Sequence, residues 1–218
     1  MYRNEVVLKG TVSDLSDYYK VDRTFTSEKF LKMNINVART SGAVDIIPCV
    51  VSERTVKQYD IQDGDVLSVT GNYRYRKTQD DTGARHTELR VFVTSVIENE
   101  DDIDNRIILE GYLTKKPRLR KTGKGDRQDS RTICDITIAV NRTNGLRTDF
   151  IPCIVWGRKA EFIATLEPND TVILQGRIQS RNYNKVLPDG TSEIRTAYEV
   201  SVADIEFIDN TNTNESED

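Results

Sequence analysis

The sequence predicts an all-β chain of two successive small barrels, and three observations predict it. The chain repeats itself with a period of about 100 residues, its apolar positions alternate with a period of two, and each repeat holds one short helical stretch at the same place. At 218 residues the chain accommodates two domains of ordinary size. A period this long indicates duplicated domains rather than a solenoid.

The elements follow in order. The first strand of each repeat opens alike, Asn-Glu-Val-Val-Leu-Lys-Gly ending at Gly10 and Asn-Arg-Ile-Ile-Leu-Glu-Gly ending at Gly111. Those glycines suit the sharp bend that a long first strand makes to join both sheets of a barrel. In the second strand Cys134, Ile136, Ile138 and Val140 share one face, in phase with Leu31, Met33, Ile35 and Val37. The third strand runs Asp-Ile-Ile-Pro-Cys-Val-Val from Asp45 and Asp-Phe-Ile-Pro-Cys-Ile-Val from Asp149. A short helix is expected over 54–59 and 158–166. A fourth strand then leads to Gly71 and Gly176, and a fifth spans 87–97 and 196–207. Five strands with a helix between the third and fourth is the order of an OB-fold barrel, here twice in tandem. The domain reading is 1–99, an acidic connector 100–104, 105–208, and an acidic, disordered tail 209–218.

Charge divides along the same lines. The formal net charge of −4 breaks into zero for 1–99, −4 for the connector, +4 for 105–208 and −4 for the tail. The second repeat is therefore basic, which suits a polyanionic partner. The N-terminus enters strand alternation at once and no apolar run is long enough to span a bilayer, so a cytoplasmic protein is expected. Three cysteines, Cys49, Cys134 and Cys153, form no CxxC pair and read as small buried hydrophobes. With one histidine, His86, no phosphate-binding glycine loop and no metal-ligand cluster, the sequence points to no cofactor, no metal and no catalysis.

The third strand of the second repeat is apolar on both faces. Ile151, Cys153 and Val155 alternate onto one, while Phe150, Pro152, Ile154 and Trp156 occupy the other. A small barrel buries only its inside, so an aromatic stripe is left facing outward. Pro152 suggests an edge or a bulge there. Around the stripe lie Lys115, Lys116, Arg118, Arg120, Lys121, Lys124, Arg127 and Arg131 between the first two strands, with Arg142, Arg158, Lys159, Arg177 and Arg181 at other strand ends and Tyr183 after the fourth. Rings stack on bases whatever their sequence, and Lys and Arg neutralise phosphates, so this combination suits a single strand. In the first repeat Ile46 and Ser52 replace Phe150 and Trp156, and the stretch 13–20 reads as an acidic loop. Tyr73, Tyr75, Arg74 and Arg76 offer a smaller platform there, so this half reads as a scaffold or auxiliary site.

These blocks, together with Thr-Asp-Phe-Ile-Pro-Cys-Ile-Val-Trp-Gly-Arg ending at Arg158 and Gln-Gly-Arg-Ile-Gln-Ser-Arg ending at Arg181, make residues 105–208 resemble the bacterial single-stranded DNA-binding protein family. The resemblance implies stacking aromatics at Phe150, Trp156 and Tyr183, a role in replication, recombination or repair, and four OB domains around the DNA. Two domains per chain then imply a homodimer. It also implies an acidic tail that recruits replication proteins through an apolar tip, which Asn-Glu-Ser-Glu-Asp at 214–218 lacks. The alternative reading is a replication or primosome adaptor that uses its apolar faces for protein contacts. The preference for DNA over RNA rests on the resemblance, since no residue is assignable to a 2′-hydroxyl contact.

Overall fold

Alternation of apolar residues produces strands wherever the sequence places them, and the order repeats. The computed structural model describes residues 3–22, 27–79, 83, 85–97, 103–122, 131–143, 145–186 and 190–209. The first repeat forms β1 (Asn4–Asp22), β2 (Ser27–Ala38), β3 (Val44–Ser52), α1 (Glu53–Tyr59), β4 (Val66–Gln79) and β5 (Arg85–Ile97). The second forms β6 (Asn105–Leu113), β7 (Arg118–Lys121), β8 (Thr132–Asn141), β9 (Thr148–Trp156), α2 (Gly157–Ile163), β10 (Thr171–Val186) and β11 (Ser192–Ile208).

Each repeat closes into an OB barrel. β1 pairs antiparallel with β4 through Thr11, and from Thr11 onward with β2. β2 pairs with β3, β3 runs parallel to β5 at Cys49 and Val50, and β5 returns to β4. The second repeat follows the same circuit through β6, β8, β9, β11 and β10, with the parallel step at Cys153 and Ile154. The crossing of the first strand needs a glycine. A Cβ at Gly10 would lie 2.4 Å from the Asn36 carbonyl oxygen, and one at Gly111 would lie 2.4 Å from that of Ala139.

Three local expectations change. Residues 13–20 are not a loop but part of β1, which continues to Asp22 with register shifts on either side of Ser16 and Asp17. The basic segment after β6 contains a strand, β7, paired with β8. Pro152 makes no bulge: β8 and β9 stay in register from Ile133↔Trp156 to Asn141↔Thr148, and β11 joins β9 one residue past the proline. Connector residues 100–102, tail residues 210–218 and Lys124 lie outside the described residues.

Contacts divide the chain into two compact units that cut across the repeats. The first unit takes Glu5–Arg106 together with Ile178–Glu199, and the second takes Met1–Asn4, Ile107–Arg177 and Val200–Asp218. Leu8, Met33, Ile35, Ile47, Cys49 and Tyr73 fill the first core; Leu109, Cys134, Ile138, Ile151, Val155 and Leu174 fill the second. The three cysteines are buried and unpaired by disulfides, and burial pushes the Cys49 thiol up to about 12.

A buried acid opens β3 and β9 alike, Asp45 and Asp149, each 1% exposed. Asp45 accepts from Arg39 Nε at 2.6 Å, from the Ser180 backbone N–H at 2.7 Å and from its hydroxyl at 3.2 Å, all within the first unit. Arg39 Nη2 donates in turn to the Ser180 carbonyl at 3.1 Å. Burial alone would raise the Asp45 pKa, but the Arg39 guanidinium and the Ser180 donors outweigh it and hold the carboxyl below the usual carboxylate range. A depressed folded-state pKa means stability that is present above the unfolded value of about 3.9 and lost as pH falls through the folded value. Asp45→Ala is therefore expected to cost about 3 kcal/mol in urea melts at pH 7, the figure for removing one partner of a buried pair. The gap between variant and wild type should narrow progressively as pH falls below about 4. An equal gap at both pH values would contradict the ionised latch.

Candidate nucleic-acid interface

The second unit builds its outward stripe from the strand pleat. With Ile151, Cys153 and Val155 turned into the barrel, Phe150 and Trp156 face out at 41% and 37% exposure. Six residues apart on one strand, they stand about 20 Å from each other at ~3.3 Å per residue, so they act as separate platforms. Pro152, half-buried, and Ile154, 5% exposed, form the apolar floor between them. Gly157 then turns the chain from strand into α2 at a φ of +61°, leaving the Trp156 ring at the strand end with no side-chain cap beneath it. The first repeat spends the same position differently. Ser52 Oγ accepts from the Thr55 N–H at 3.1 Å and caps α1.

The same unit carries exposed cations. Lys115, Arg118, Lys121, Arg131, Arg158 and Arg177 are exposed. β7 lays Arg118, Leu119, Arg120 and Lys121 along β8, with Arg120 opposite Ile133 and Ile133 opposite Trp156. Lys116 pairs with Glu167, Arg120 with Asp135 and Lys159 with Asp204, and all six side chains are at least 47% exposed. The Lys159 ammonium holds the Asp204 carboxyl below its ordinary range. Water and salt already weaken exposed pairs, so these cations can exchange a carboxylate for a phosphate at little cost.

The remaining expected site residues divide between a structural role in this unit and places in the first unit. Arg142 is committed to the fold: its Nε and Nη2 donate to the buried Asp149 at 2.8 and 2.6 Å, leaving 19% of the side chain exposed. Arg181 and Tyr183 belong to the first unit, where the guanidinium lies 6.0 Å from the ring centroid. Also there, Tyr75 is half-buried and its hydroxyl accepts from Thr87 Oγ1 at 3.5 Å, while Arg76 is exposed. Tyr73 is no platform. At 0% exposure its ring fills the first barrel, because it shares the inward phase of β4 with Val69.

Sequence reasoning missed a second aromatic group in the first unit: Tyr18, Tyr19, Phe30 and Phe92, with Arg74, Arg76 and Arg90 over their rings. The adjacent tyrosines were the available signal. A loop reading of 13–20 hides them, because only a strand gives adjacent tyrosines a fixed face.

Comparison with known proteins places the sequence in a family. The model of the "Single-strand binding protein family" matches residues 104–208. Single-stranded DNA-binding protein 2 of Listeria monocytogenes is 39% identical over 116 residues, which covers 50% of this chain and 67% of that one. The chain belongs to the single-strand binding protein family. Among other family relatives, single-stranded DNA-binding protein A of Bacillus subtilis is 42% identical over 85 residues, 36% of this chain and 46% of that protein. The fold extends further than the sequence likeness. A deletion mutant of the single-stranded DNA binding protein from Thermus aquaticus superposes over 98% of both chains with a TM-score of 0.67 at 22% identity.

The sole tryptophan of the chain lies on this outward stripe. Trp156 emission in the purified protein is expected to be quenched by acrylamide before any nucleic acid is added. Emission shielded until the protein is denatured would place the ring in a protein contact, as an adaptor requires.

Proposed function

We propose that the chain binds single-stranded DNA without sequence preference and catalyses no reaction, serving replication, recombination or repair. The observation that carries this reading is the outward placement of Phe150 and Trp156 on β9, with the cationic strand β7 one strand away across β8. Base stacking on exposed rings supplies sequence-tolerant affinity, and the flanking Lys and Arg side chains follow the phosphates. The names of the family relatives support the same ligand. In this reading 1–99 and 105–208 are the two domains, joined by 100–104 and followed by the acidic tail 209–218. A homodimer brings four OB barrels together, and sedimentation equilibrium tests that stoichiometry. Among the described residues no helix is long and apolar enough to cross a membrane.

Trp156→Ala and Phe150→Ala are each expected to weaken oligothymidylate binding by about 1–3 kcal/mol, the contribution of one stacked base, as read by fluorescence anisotropy. Unchanged affinity in both variants would remove the stacking surface from this strand. Affinity should fall linearly on a log–log plot against salt, and Arg118→Ala should lower the slope by about 0.7, the value for one phosphate on a single strand. A competition titration with oligouridylate separates DNA from RNA preference.

A further inference from the structure

The outer face of the first unit carries its own aromatic cluster, and the strand register shows how it is built. Tyr19 on β1 lies opposite Phe30 on β2, and Phe30 opposite Ser52 on β3; two residues earlier on β3, Val50 meets Phe92 on β5. These residues share the outward phase of their strands, yet Phe30 is only 6% and Val50 only 4% exposed. Side chains from the same face cover them. Tyr19 stacks on Phe30 with centroids 4.9 Å apart, Phe30 tilts against Phe92 at 5.5 Å, and Tyr18 meets Tyr19 edge-on at 4.9 Å.

Arginines occupy the remaining ring faces. Arg74 lies 4.1 Å over Phe92, Arg76 lies 5.2 Å from Tyr19, and Arg90 lies 5.0 Å from Tyr18. A hydrogen bond latches the group, since Tyr18 Oη donates to Glu88 Oε2 at 2.7 Å. Burial favours a neutral Glu88, but the Tyr18 hydroxyl and Arg90 hold its carboxyl below the usual range, so the acceptor stays charged. Beside the cluster the face opens into a cleft of about 590 Å³ bounded by Lys32, Asn34, Pro48, Arg90 and Tyr198. Asp14 lines it too, accepting from Asn34 Nδ2 at 2.7 Å, and so sets a carboxylate where a phosphate would pass.

The second unit has no aromatic pair at the equivalent place, although Ile133 there is buried too, at 1% exposure, and what it leaves exposed is the Trp156 ring. There Arg120 stands in register with Ile133, and Ile133 with Trp156, as Tyr19 stands with Phe30 and Phe30 with Ser52. We propose that the first unit is closed to single strands by its own β1–β2 arm: Tyr18 and Tyr19 fill the stacking positions, and Arg74, Arg76 and Arg90 cap the rings that bases would need. The inference rests on the stacking reading of Phe150 and Trp156. It assigns base contact to the second repeat and leaves the first occupied by its own side chains.

Photo-crosslinking of the full chain to bromodeoxyuridine-substituted oligothymidylate, with peptide mapping, tests this. Cross-links are expected at Phe150 and Trp156 and none at Tyr18, Tyr19 or Phe92. Cross-links at those three beside Trp156 would overturn the closed arm alone. Cross-links to neither repeat would overturn the stacking reading and this proposal with it. A Tyr18→Ala, Tyr19→Ala double variant, checked for folding by circular dichroism, is expected to bind at least as tightly as wild type. A tenfold loss would make the two tyrosines platforms and overturn the proposal.

Discussion

Barrel closure depends on a single backbone crossing in each repeat. The first strand leaves one neighbour and joins another at Gly10 or Gly111, where the carbonyl oxygen of Asn36 or Ala139 occupies the space a Cβ would need. A side chain there would push the strands apart, and the ring of pairings β1–β2–β3–β5–β4 would stay open along one edge. Closure also fixes which half of every strand is buried. Once the ring is complete, residues in one phase of the pleat are inside and their neighbours are outside.

The outward phase is where the two repeats part company. On a shared frame, Ile46 and Ser52 occupy the positions of Phe150 and Trp156. Ser52 gives its hydroxyl to the first turn of α1, a cap of the kind that contributes about 1 kcal/mol. Trp156 forgoes that cap and exposes a ring instead. One repeat has invested the position in helix stability and the other in a surface. The same division holds at the next strands, where the first repeat closes Tyr19 onto Phe30 and the second leaves Arg120 in the matching place.

Electrostatics sorts the cations by burial. Arg39 and Arg142 serve buried carboxylates, and removing either would leave a charge in the barrel wall with nothing to offset its desolvation. Lys116, Arg120 and Lys159 make exposed pairs that water and salt already weaken, so a phosphate can replace the carboxylate. Composition alone does not make this distinction, because Arg142 and Arg158 are the same residue type near the same strand.

Periodicity of two, the duplicated glycines and the place of the helix were enough to determine two OB barrels, because alternation and a required bend are local properties of the chain. The phase of β9 likewise sufficed to put Phe150 and Trp156 outside. Tertiary structure decided what alternation does not encode. Tyr73 lies in the core because closure of the barrel turns inward the phase of β4 that it shares with Val69 and Gly71. Residues 13–20 become strand because β2 supplies hydrogen bonds that their polar, acidic sequence does not suggest. Whether an aromatic ring is a platform or a filled contact depends on which arginines and carboxylates the closed barrel brings against it. Those partners come from distant strands, as in the pairing of Tyr18 with Glu88, 70 residues on.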